Sequence, residues 1–208
     1  MSKLNRLLKS ACAENNLVLD EKIQNQLVHY LELLATWNRV FNLTAITQPA
    51  DMVYLHIVDS LTVQPYLQGT QLLDVGSGAG LPGIPLAIVN AMQHWTLLDK
   101  NSKKTRFLTQ VIAELSLTNV AAVHARCEDY QITSPGFDSI VSRAFSSLRA
   151  FVETTAHLLQ PEGIWIAMKG KYPQQELAEL PKQFKVKCVE PVVVKGIAGE
   201  RHMVVISR

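Results

Sequence analysis

The sequence contains 208 residues, of which 48% are hydrophobic and 18% are charged. This composition supports a folded core and excludes a disordered chain, and the length fits one domain with an appendage. The 20 Lys and Arg residues exceed the 18 Asp and Glu residues by only +2. Any polyanion must therefore bind to a local basic patch and not to a general positive field.

The three cysteines, Cys12, Cys127 and Cys188, are isolated along the chain and form no C-x-x-C pair. This spacing argues against a structural zinc site and a disulfide framework, so we expect no metal and a reducing, cytoplasmic location. The N-terminal segment lacks the apolar centre of a signal peptide. No stretch approaches the roughly 20 apolar residues that a membrane span needs, so we expect no membrane association.

Residues 1–66 are predicted to form a helical cap. Apolar residues recur at helical spacing from Leu4 to Ala11 and again from Ile23 to Trp37. Asp20 predicts the start of the second helix. A third helix is predicted from Met52 to a point near Pro65.

Residues 67–208 follow a different pattern, in which apolar runs alternate with helical periodicity. This alternation predicts an α/β fold with a seven-stranded, mostly parallel sheet and right-handed crossovers. No helix separates the last two runs, so we expect an antiparallel hairpin with its turn at Gly196 and Gly199 and one reversed strand at an edge of the sheet. The predicted strands are 71–75, 95–98, 120–124, 139–142, 163–168, 186–194 and 202–207, and the predicted helices are 82–91, 103–116, 147–159 and 174–180.

The segment from Leu72 to Gly83, LLDVGSGAGLPG, places a glycine-rich turn directly after a buried strand. Glycines let a ligand approach the main chain, and the turn leads to a helix N-terminus, so we expect a nucleotide-like cofactor. Residues 78–83 alone match G-x-G-x-x-G, which fits an NAD-dependent oxidoreductase. Asp74 and Gly76 extend the pattern to D-x-G-x-G-x-G, which resembles motif I of the class I S-adenosylmethionine-dependent methyltransferases.

Asp99 ends the next apolar run, about 20 residues beyond the glycines, where an acid can accept hydrogen bonds from both hydroxyls of a ribose. Alternatively, Asp99 caps the helix that begins near Ser102. The segment Ala125–Glu128 follows the third predicted strand, where an adenine edge can be bound, although an ordinary polar loop also explains it.

Arg143 follows the fourth predicted strand, where it can hold a phosphate or a base edge, or can be a surface arginine at a helix start. Phe145 is a candidate for stacking on a base. Basic clusters converge on the same rim of the sheet, which favours phosphate-backbone contact over a merely solvated charged face. The predicted nucleic-acid contacts are Lys100, Lys103, Lys104, Arg106, Phe145, Lys169 and Arg201.

His56 and Asp59 are three residues apart on the predicted third helix and would share one face of it. We interpret them as a packed, hydrogen-bonded pair that joins the cap to the core. No third ligand has a spacing that would complete a metal site.

Seven stretches carry a more specific pattern in order along nearly the whole chain: Trp37–Asn38, Asn42–Thr44, His56–Ser60, Asp74–Pro85, Ser142–Phe145, Lys169–Gly170 and Gly199–His202. Through them the sequence resembles the bacterial small-subunit ribosomal RNA guanine-N7 methyltransferases of the GidB (glucose-inhibited division protein B) family. Leu55 departs from that pattern, because the family typically has arginine before the histidine.

The resemblance implies a Rossmann-like class I methyltransferase domain over residues 67–208, with S-adenosylmethionine as the cofactor. It implies N7 of a guanine in 16S ribosomal RNA as the acceptor, either in free RNA or in the small ribosomal subunit. No long apolar heptads call for a dimer, so we expect a monomer. The predicted cofactor-binding residues are Asp74, Gly76, Gly78, Gly80, Leu81, Asp99, Cys127, Glu128 and Arg143.

Guanine N7 has an in-plane lone pair and no proton at neutral pH, so its methylation needs no general base. Alignment and electrostatic stabilisation would drive the reaction on an unstacked base. The predicted catalytic residues are Arg143 and Lys169, which would position guanine O6 or a neighbouring phosphate. The other functions left open are a non-catalytic RNA-binding or ribosome assembly factor and a small-molecule methyltransferase.

Overall fold

The N-terminal third of the computed structural model, which describes residues 2–132 and 135–208, is helical. Helix α1 covers Lys3–Glu14 and helix α2 covers Glu21–Phe41. The Asp20 side chain accepts a hydrogen bond from the Ile23 N–H at 2.7 Å, which confirms Asp20 as the start of α2.

The predicted third helix is divided into several short segments. Helix α3 (Pro49–Met52) is followed by a π-helical stretch (Val53–Val58), helix α4 (Asp59–Leu61) and a 3₁₀ turn (Gln64–Tyr66). A π-helix closes its hydrogen bonds from i to i+5, so residues three apart no longer share a face.

The expected hydrogen bond between His56 and Asp59 is therefore wrong. His56 Nε2 lies 3.2 Å from the Thr44 hydroxyl, and the Asp59 carboxylate accepts a hydrogen bond from Arg201 instead. Of the two buried residues, it is Asp59 that ties the cap to the C-terminal hairpin.

Seven strands form one sheet in the order β3-β2-β1-β4-β5-β7-β6. Strands β1 to β5 are mutually parallel, and β7 runs antiparallel to both of its neighbours. The reversed strand is therefore β7, which lies one place inside the edge, and the expectation of a reversed edge strand is wrong. The strands are β1 (Gln71–Val75), β2 (His94–Asp99), β3 (Val120–His124), β4 (Phe137–Ser142), β5 (Leu159–Lys169), β6 (Lys185–Pro191) and β7 (His202–Ser207).

The helices of the sheet region confirm the predicted alternation. Helix α5 (Gly83–Val89) follows β1, α6 (Ser102–Glu114) follows β2, α7 (Leu148–Thr155) follows β4, and α8 (Gln174–Ala178) follows β5. Because β1 to β5 are parallel, the residues after Val75, Asp99, His124, Ser142 and Lys169 meet at one rim of the sheet.

The helical region and the sheet share one hydrophobic core. Leu27 and Leu34 of α2 belong to the same buried cluster as Ile84 of α5, Trp95 of β2 and Leu108 of α6. A second cluster covers the opposite face of the sheet around Phe151 and Trp165. The division into residues 1–66 and 67–208 stays a prediction.

Across residues 2–132 and 135–208, no helix combines the length and the apolarity needed to cross a bilayer. The same residues contain no group of three or more His, Cys, Asp or Glu side chains arranged to hold a metal ion.

Candidate active site

The glycine-rich loop after β1 is fixed by hydrogen bonds from its neighbours. The Gly76 N–H donates to the Leu98 carbonyl at 2.8 Å, and the Ser142 hydroxyl donates to the Val75 carbonyl at 3.0 Å. The buried Tyr30 hydroxyl of α2 donates to the Ala79 carbonyl at 2.8 Å. Strands β2 and β4 and the helical cap thus hold the loop in one shape.

Gly76 is the position of this loop at which the backbone faces open space. Its φ is +70°, and a Cβ placed there would meet no atom within 4 Å. Gly80 is different, because its φ is +90° and an added Cβ would lie 2.5 Å from Ile84 Cγ1. Gly76 therefore leaves room for a ligand, whereas Gly80 permits close packing of the loop against α5.

Asp74 lies beneath the loop, fully buried in β1. Its Oδ2 accepts a hydrogen bond from the Gly83 N–H at 3.0 Å, and its Oδ1 has no partner in the described structure. Burial raises the pKa of this carboxyl to about 7, while the Gly83 N–H and the charge of Arg143 oppose the increase. Asp74 therefore anchors the first turn of α5 to the end of β1.

Asp99, at the end of β2, also contacts the loop. Its Oδ2 accepts from the Gly78 N–H at 2.9 Å and its Oδ1 accepts from the Asn101 N–H at 2.8 Å. The N-cap of α6 is Asn101 and not Asp99, so the alternative of Asp99 as the cap of that helix is wrong. A carboxylate can accept about four hydrogen bonds, so both Asp99 oxygens can still bind a ligand.

A cavity of about 400 Å³ opens at this rim of the sheet. The predicted cofactor-binding residues Gly76, Asp99, Cys127 and Glu128 line it, and they come from the ends of three adjacent strands. Five others do not line it. Asp74, Gly78, Gly80 and Leu81 shape the loop from behind or below, and Arg143 lies immediately before the lining segment Ala144–Ser146.

The Cys127 thiol and the Glu128 carboxylate lie together in the wall of this cavity, with Sγ 3.5 Å from Oε2. Desolvation, followed by the charge of Glu128, raises the pKa of the Cys127 thiol to about 11, so it stays protonated. Hydrogen bonding to its own backbone N–H lowers the pKa of Glu128. The cavity wall thus presents a neutral thiol beside an anionic carboxylate.

The predicted nucleic-acid contacts divide among three places. Lys100, Lys104 and Phe145 line the cavity of about 400 Å³, and Lys104 Nζ lies 4.0 Å from Asp99 Oδ2. Phe145 packs against Phe151 at 5.3 Å between ring centroids. Lys103 and Arg106 are exposed on α6 outside the cavity.

A second, smaller cavity of about 170 Å³ lies between α4, the end of β5 and the start of β7. Lys169 and Arg201 line it. Lys169 Nζ lies 3.0 Å and 2.8 Å from the two carboxylate oxygens of Glu176. Arg201 Nε donates to Asp59 Oδ1 at 2.7 Å.

Arg143 lies between the two cavities. Its Nη1 donates to the Leu55 carbonyl at 3.0 Å and lies 4.0 Å from Asp59 Oδ2. Leu55, the departure from the family pattern, therefore contacts Arg143 through its main chain, and any side chain at position 55 can supply that carbonyl.

Sequence reasoning missed the partners Glu176 and Tyr30 and the role of Asp59 as a partner of two arginines. Asp59 and Arg201 are 142 residues apart, and no local spacing predicts such a contact. The one available signal was an acid on an apolar helical segment, because such a group is rarely buried without a partner.

The comparison with known proteins identifies the family. A family model described as rRNA small subunit methyltransferase G matches residues 23–204. The chain belongs to this GidB family. It is 50% identical over 196 residues to "Ribosomal RNA small subunit methyltransferase G" of Pseudomonas aeruginosa strain PAO1, covering 94% of this chain and 91% of that protein. It is 46% identical over 207 residues to the protein of the same name from Escherichia fergusonii, covering 100% and 98% of the two chains.

Solved structures with lower identity confirm the fold of this GidB family member. A SAM-dependent methyltransferase from Aquifex aeolicus superimposes with a TM-score of 0.60 at 17% identity, over 75% of this chain and 92% of that one. The glycopeptide N-methyltransferase MtfA in complex with S-adenosylhomocysteine gives a TM-score of 0.63 at 11% identity, over 73% and 86%. The predicted class I methyltransferase fold is confirmed.

Proposed function

We propose that this protein transfers the methyl group of S-adenosylmethionine to N7 of a guanine in 16S small-subunit ribosomal RNA. The observation that carries the proposal is that Gly76, Asp99 and the Cys127–Glu128 pair, from three adjacent strand ends, surround one cavity in a GidB family member. Family membership gives no support to the NAD-dependent oxidoreductase, to the non-catalytic RNA-binding factor or to a small-molecule methyltransferase.

The residues around the cavity fit the chemical groups of this cofactor. Both oxygens of Asp99 retain acceptor capacity, which suits the two hydroxyls of a ribose. Gly76 leaves the main chain open on the cavity side. Cys127 and Glu128, which line the cavity, would bind the adenine edge. Asp74, Gly78, Gly80 and Leu81 would act by holding the loop in shape.

When bound, the cofactor supplies a methyl group on a positively charged sulfur, which guanine N7 attacks with its own lone pair. The protein then has to align guanine N7 with the methyl group and prevent other orientations of the base. It has no proton to remove. No histidine lines the larger cavity among the described residues, in keeping with a reaction that needs no general base.

Arg143 and Lys169 are the proposed positioning cations on the acceptor side. Arg143 uses one of its five N–H groups on Leu55, and its other donors make no hydrogen bond within the described residues. Lys169 directs two of its three N–H bonds to Glu176. Both are therefore oriented and still able to bind guanine O6 or a neighbouring phosphate.

The remaining predicted contacts complete the proposal. Lys103, Arg106 and Arg201 would bind the RNA backbone, while Lys100, Lys104 and Phe145 would act at the junction of the RNA and the cofactor cavity. A monomeric enzyme in the cytoplasm, where ribosomal RNA is modified, belongs to the same proposal.

Calorimetric titration of the purified protein with S-adenosylmethionine, S-adenosylhomocysteine and NAD tests the cofactor assignment. We expect saturable binding of the first two and none of NAD. Binding of NAD alone would overturn the assignment of the larger cavity.

A further inference from the structure

One buried carboxylate lies between two arginines from distant parts of the chain. Asp59 Oδ1 accepts the hydrogen bond from Arg201 Nε at 2.7 Å, and Asp59 Oδ2 lies 4.0 Å from Arg143 Nη1. The Asp59 side chain is only 12% exposed, against 21% for Arg201 and 30% for Arg143. The acid is therefore less exposed than either cation, is hydrogen-bonded to Arg201 and lies within ion-pair distance of Arg143.

The segment that carries Asp59 is itself fixed. The Asp59 carbonyl accepts from the Thr62 hydroxyl at 2.6 Å, and the buried Ser60 hydroxyl donates to the His56 carbonyl at 2.5 Å. Arg201 Nη1 donates further to the carbonyls of Ala198 and Gly199. Asp59 is thus a rigid support and not a mobile surface acid.

Each arginine keeps donors that this arrangement does not use. Within the described residues, Nη2 of Arg201 and both Nε and Nη2 of Arg143 make no hydrogen bond. Guanidinium groups held by one edge bind phosphate oxygens with the other, and this favours an anion with several acceptor oxygens.

The ionised groups at and beside the smaller cavity balance in charge, because the cations Lys169, Arg143 and Arg201 meet the acids Asp59, Glu176 and Glu200. An anion is therefore favoured by unused guanidinium donors and not by net charge. Glu176 pairs with Lys169, and Asp59 is one negative charge between two arginines. Glu200, on the outer wall, is the remaining acid that lines the cavity. His202 is held at 2.8 Å from the Gly170 carbonyl. Besides one remaining N–H of Lys169, the unused cationic donors are the guanidinium N–H groups of Arg143 and Arg201.

We propose that Asp59 is a positioning residue that orients Arg143 and Arg201 to bind one phosphodiester of the substrate RNA, beside the nucleotide that is methylated. Arg201 lines the smaller cavity, and Arg143 directly precedes the wall of the larger one. A phosphate held by both arginines fixes the register of the RNA against the cofactor. The inference rests on the proposed function and adds the phosphate site and the residue that builds it.

The direction in which Asp59→Asn changes RNA affinity distinguishes a positioning role of Asp59 from a simple effect of net charge. Asp59→Asn removes a negative charge from an RNA-binding surface, so charge counting predicts tighter RNA binding. If Asp59 aligns the arginines, the same change weakens RNA binding. The matched control is Glu153→Gln, which removes an exposed acid from the Arg149–Glu153 surface pair.

The experiment measures binding of the full-length protein to deproteinised 16S RNA and to small subunits over a range of salt concentrations, and methyl transfer separately. We expect Asp59→Asn and Arg201→Gln each to weaken binding at least tenfold and to lower the slope of log affinity against log salt by about 0.7. The double variant should lose less affinity than the sum of the two single losses, because part of the effect of Asp59 acts through Arg201. Arg201→Lys keeps the charge but loses the planar fork, so we expect its RNA binding to be weaker than that of the wild type.

Tighter or unchanged RNA binding by Asp59→Asn, or additive losses in the double variant, would overturn the inference. Glu153→Gln and Arg149→Gln should match the wild type in binding, and S-adenosylmethionine affinity should change less than threefold in every variant. If Asp59→Asn fails to fold, the Arg201→Lys result decides, because wild-type binding by that variant contradicts a fork-shaped contact. A different result separates the two proposals: the variants change RNA binding as expected, but the wild-type protein transfers no methyl group. That result would refute the proposed function and support the phosphate site.

Discussion

The Asp99 carboxylate accepts a hydrogen bond from the Gly78 N–H at 2.9 Å. The acid proposed to bind the ribose therefore also holds the glycine-rich loop against the end of β2. The two features from which the sequence predicts a cofactor site form one hydrogen-bonded unit. A change at either residue should therefore affect both the shape of the loop and the binding of the cofactor.

Asp99→Asn should weaken S-adenosylmethionine binding by 10- to 100-fold, because a hydrogen bond to a charged acceptor contributes about 1.5–3 kcal/mol. Calorimetry of the purified variant measures this directly. Asp129→Asn, an exposed acid on the neighbouring loop, makes the same charge change and should bind like the wild type. Unchanged affinity in Asp99→Asn would remove Asp99 from the cofactor site.

Two glycines of one loop should respond differently to alanine. In Gly76→Ala the methyl group enters open space beside the cavity, so unfolding free energy should fall by only about 1–2 kcal/mol while cofactor affinity falls at least tenfold. In Gly80→Ala the methyl group overlaps Ile84 and Leu108, and stability should fall by roughly 2–4 kcal/mol. Urea unfolding and calorimetry on both variants separate these effects. Wild-type cofactor affinity in Gly76→Ala would show that Gly76 does not face a ligand site.

The parts of the fold that the sequence predicted are those with local signals. The alternation of apolar runs and helical periodicity located all seven strands, and the glycine pattern between Asp74 and Gly83 located the loop. Asp99 followed from the rule that parallel strands end at one rim. These features depend on residues within about 25 positions of one another, a range typical of one strand-helix-strand unit.

The position of β7 could not be predicted, because a terminal hairpin can join a sheet through either of its strands. Strand β7 pairs with β5 through the apolar run Met203–Ile206, whereas β6 carries exposed lysines at 185 and 187. The more polar strand therefore takes the edge, where charged side chains oppose further pairing.

The π-helical stretch Val53–Val58 was also missed, and nothing in its run of apolar residues distinguishes it from an α-helix. Its consequence is that Asp59 points to Arg201 and not to His56. Contacts of this kind depend on tertiary packing, and they determine the proposed acceptor side of the site. That side was therefore predicted less completely than the proposed cofactor side.

Asp74 should make stability fall as pH rises. Its pKa in the folded protein, about 7, exceeds the ordinary value of 3.8, so the folded state binds its proton more tightly than the unfolded state. The stabilisation that it gives is complete below pH 4 and is lost as pH rises through about 7. Asp74→Asn cannot titrate, so its stability relative to the wild type should increase over this range by a few kcal/mol at most.

Urea unfolding of both proteins between about pH 4.5 and 8.5, without cofactor, tests the effect of Asp74. This range begins just above the ordinary pKa of 3.8 and passes through the folded-state value of about 7. Parallel stability profiles for wild type and Asp74→Asn would show that Asp74 has an ordinary pKa in the folded protein.

Tyr30→Phe should loosen the loop from the cap. The variant leaves the buried Ala79 carbonyl without its donor, at a cost of about 1–3 kcal/mol in unfolding free energy. Because the loop carries Gly76, we also expect weaker cofactor binding. Tyr172→Phe changes an exposed tyrosine by the same atom and should leave both quantities unchanged. Wild-type stability in Tyr30→Phe would show that the cap does not support the loop.

The most direct test of the account is methyl transfer from labelled S-adenosylmethionine to small subunits and to deproteinised 16S RNA, both taken from cells that lack this protein. The proposed function predicts label in the RNA at a single guanine, mapped by chemical cleavage at N7-methylguanine, and loss of that label in Asp99→Asn at limiting cofactor. Label at another atom, in protein, or in neither substrate while the cofactor binds normally would contradict it.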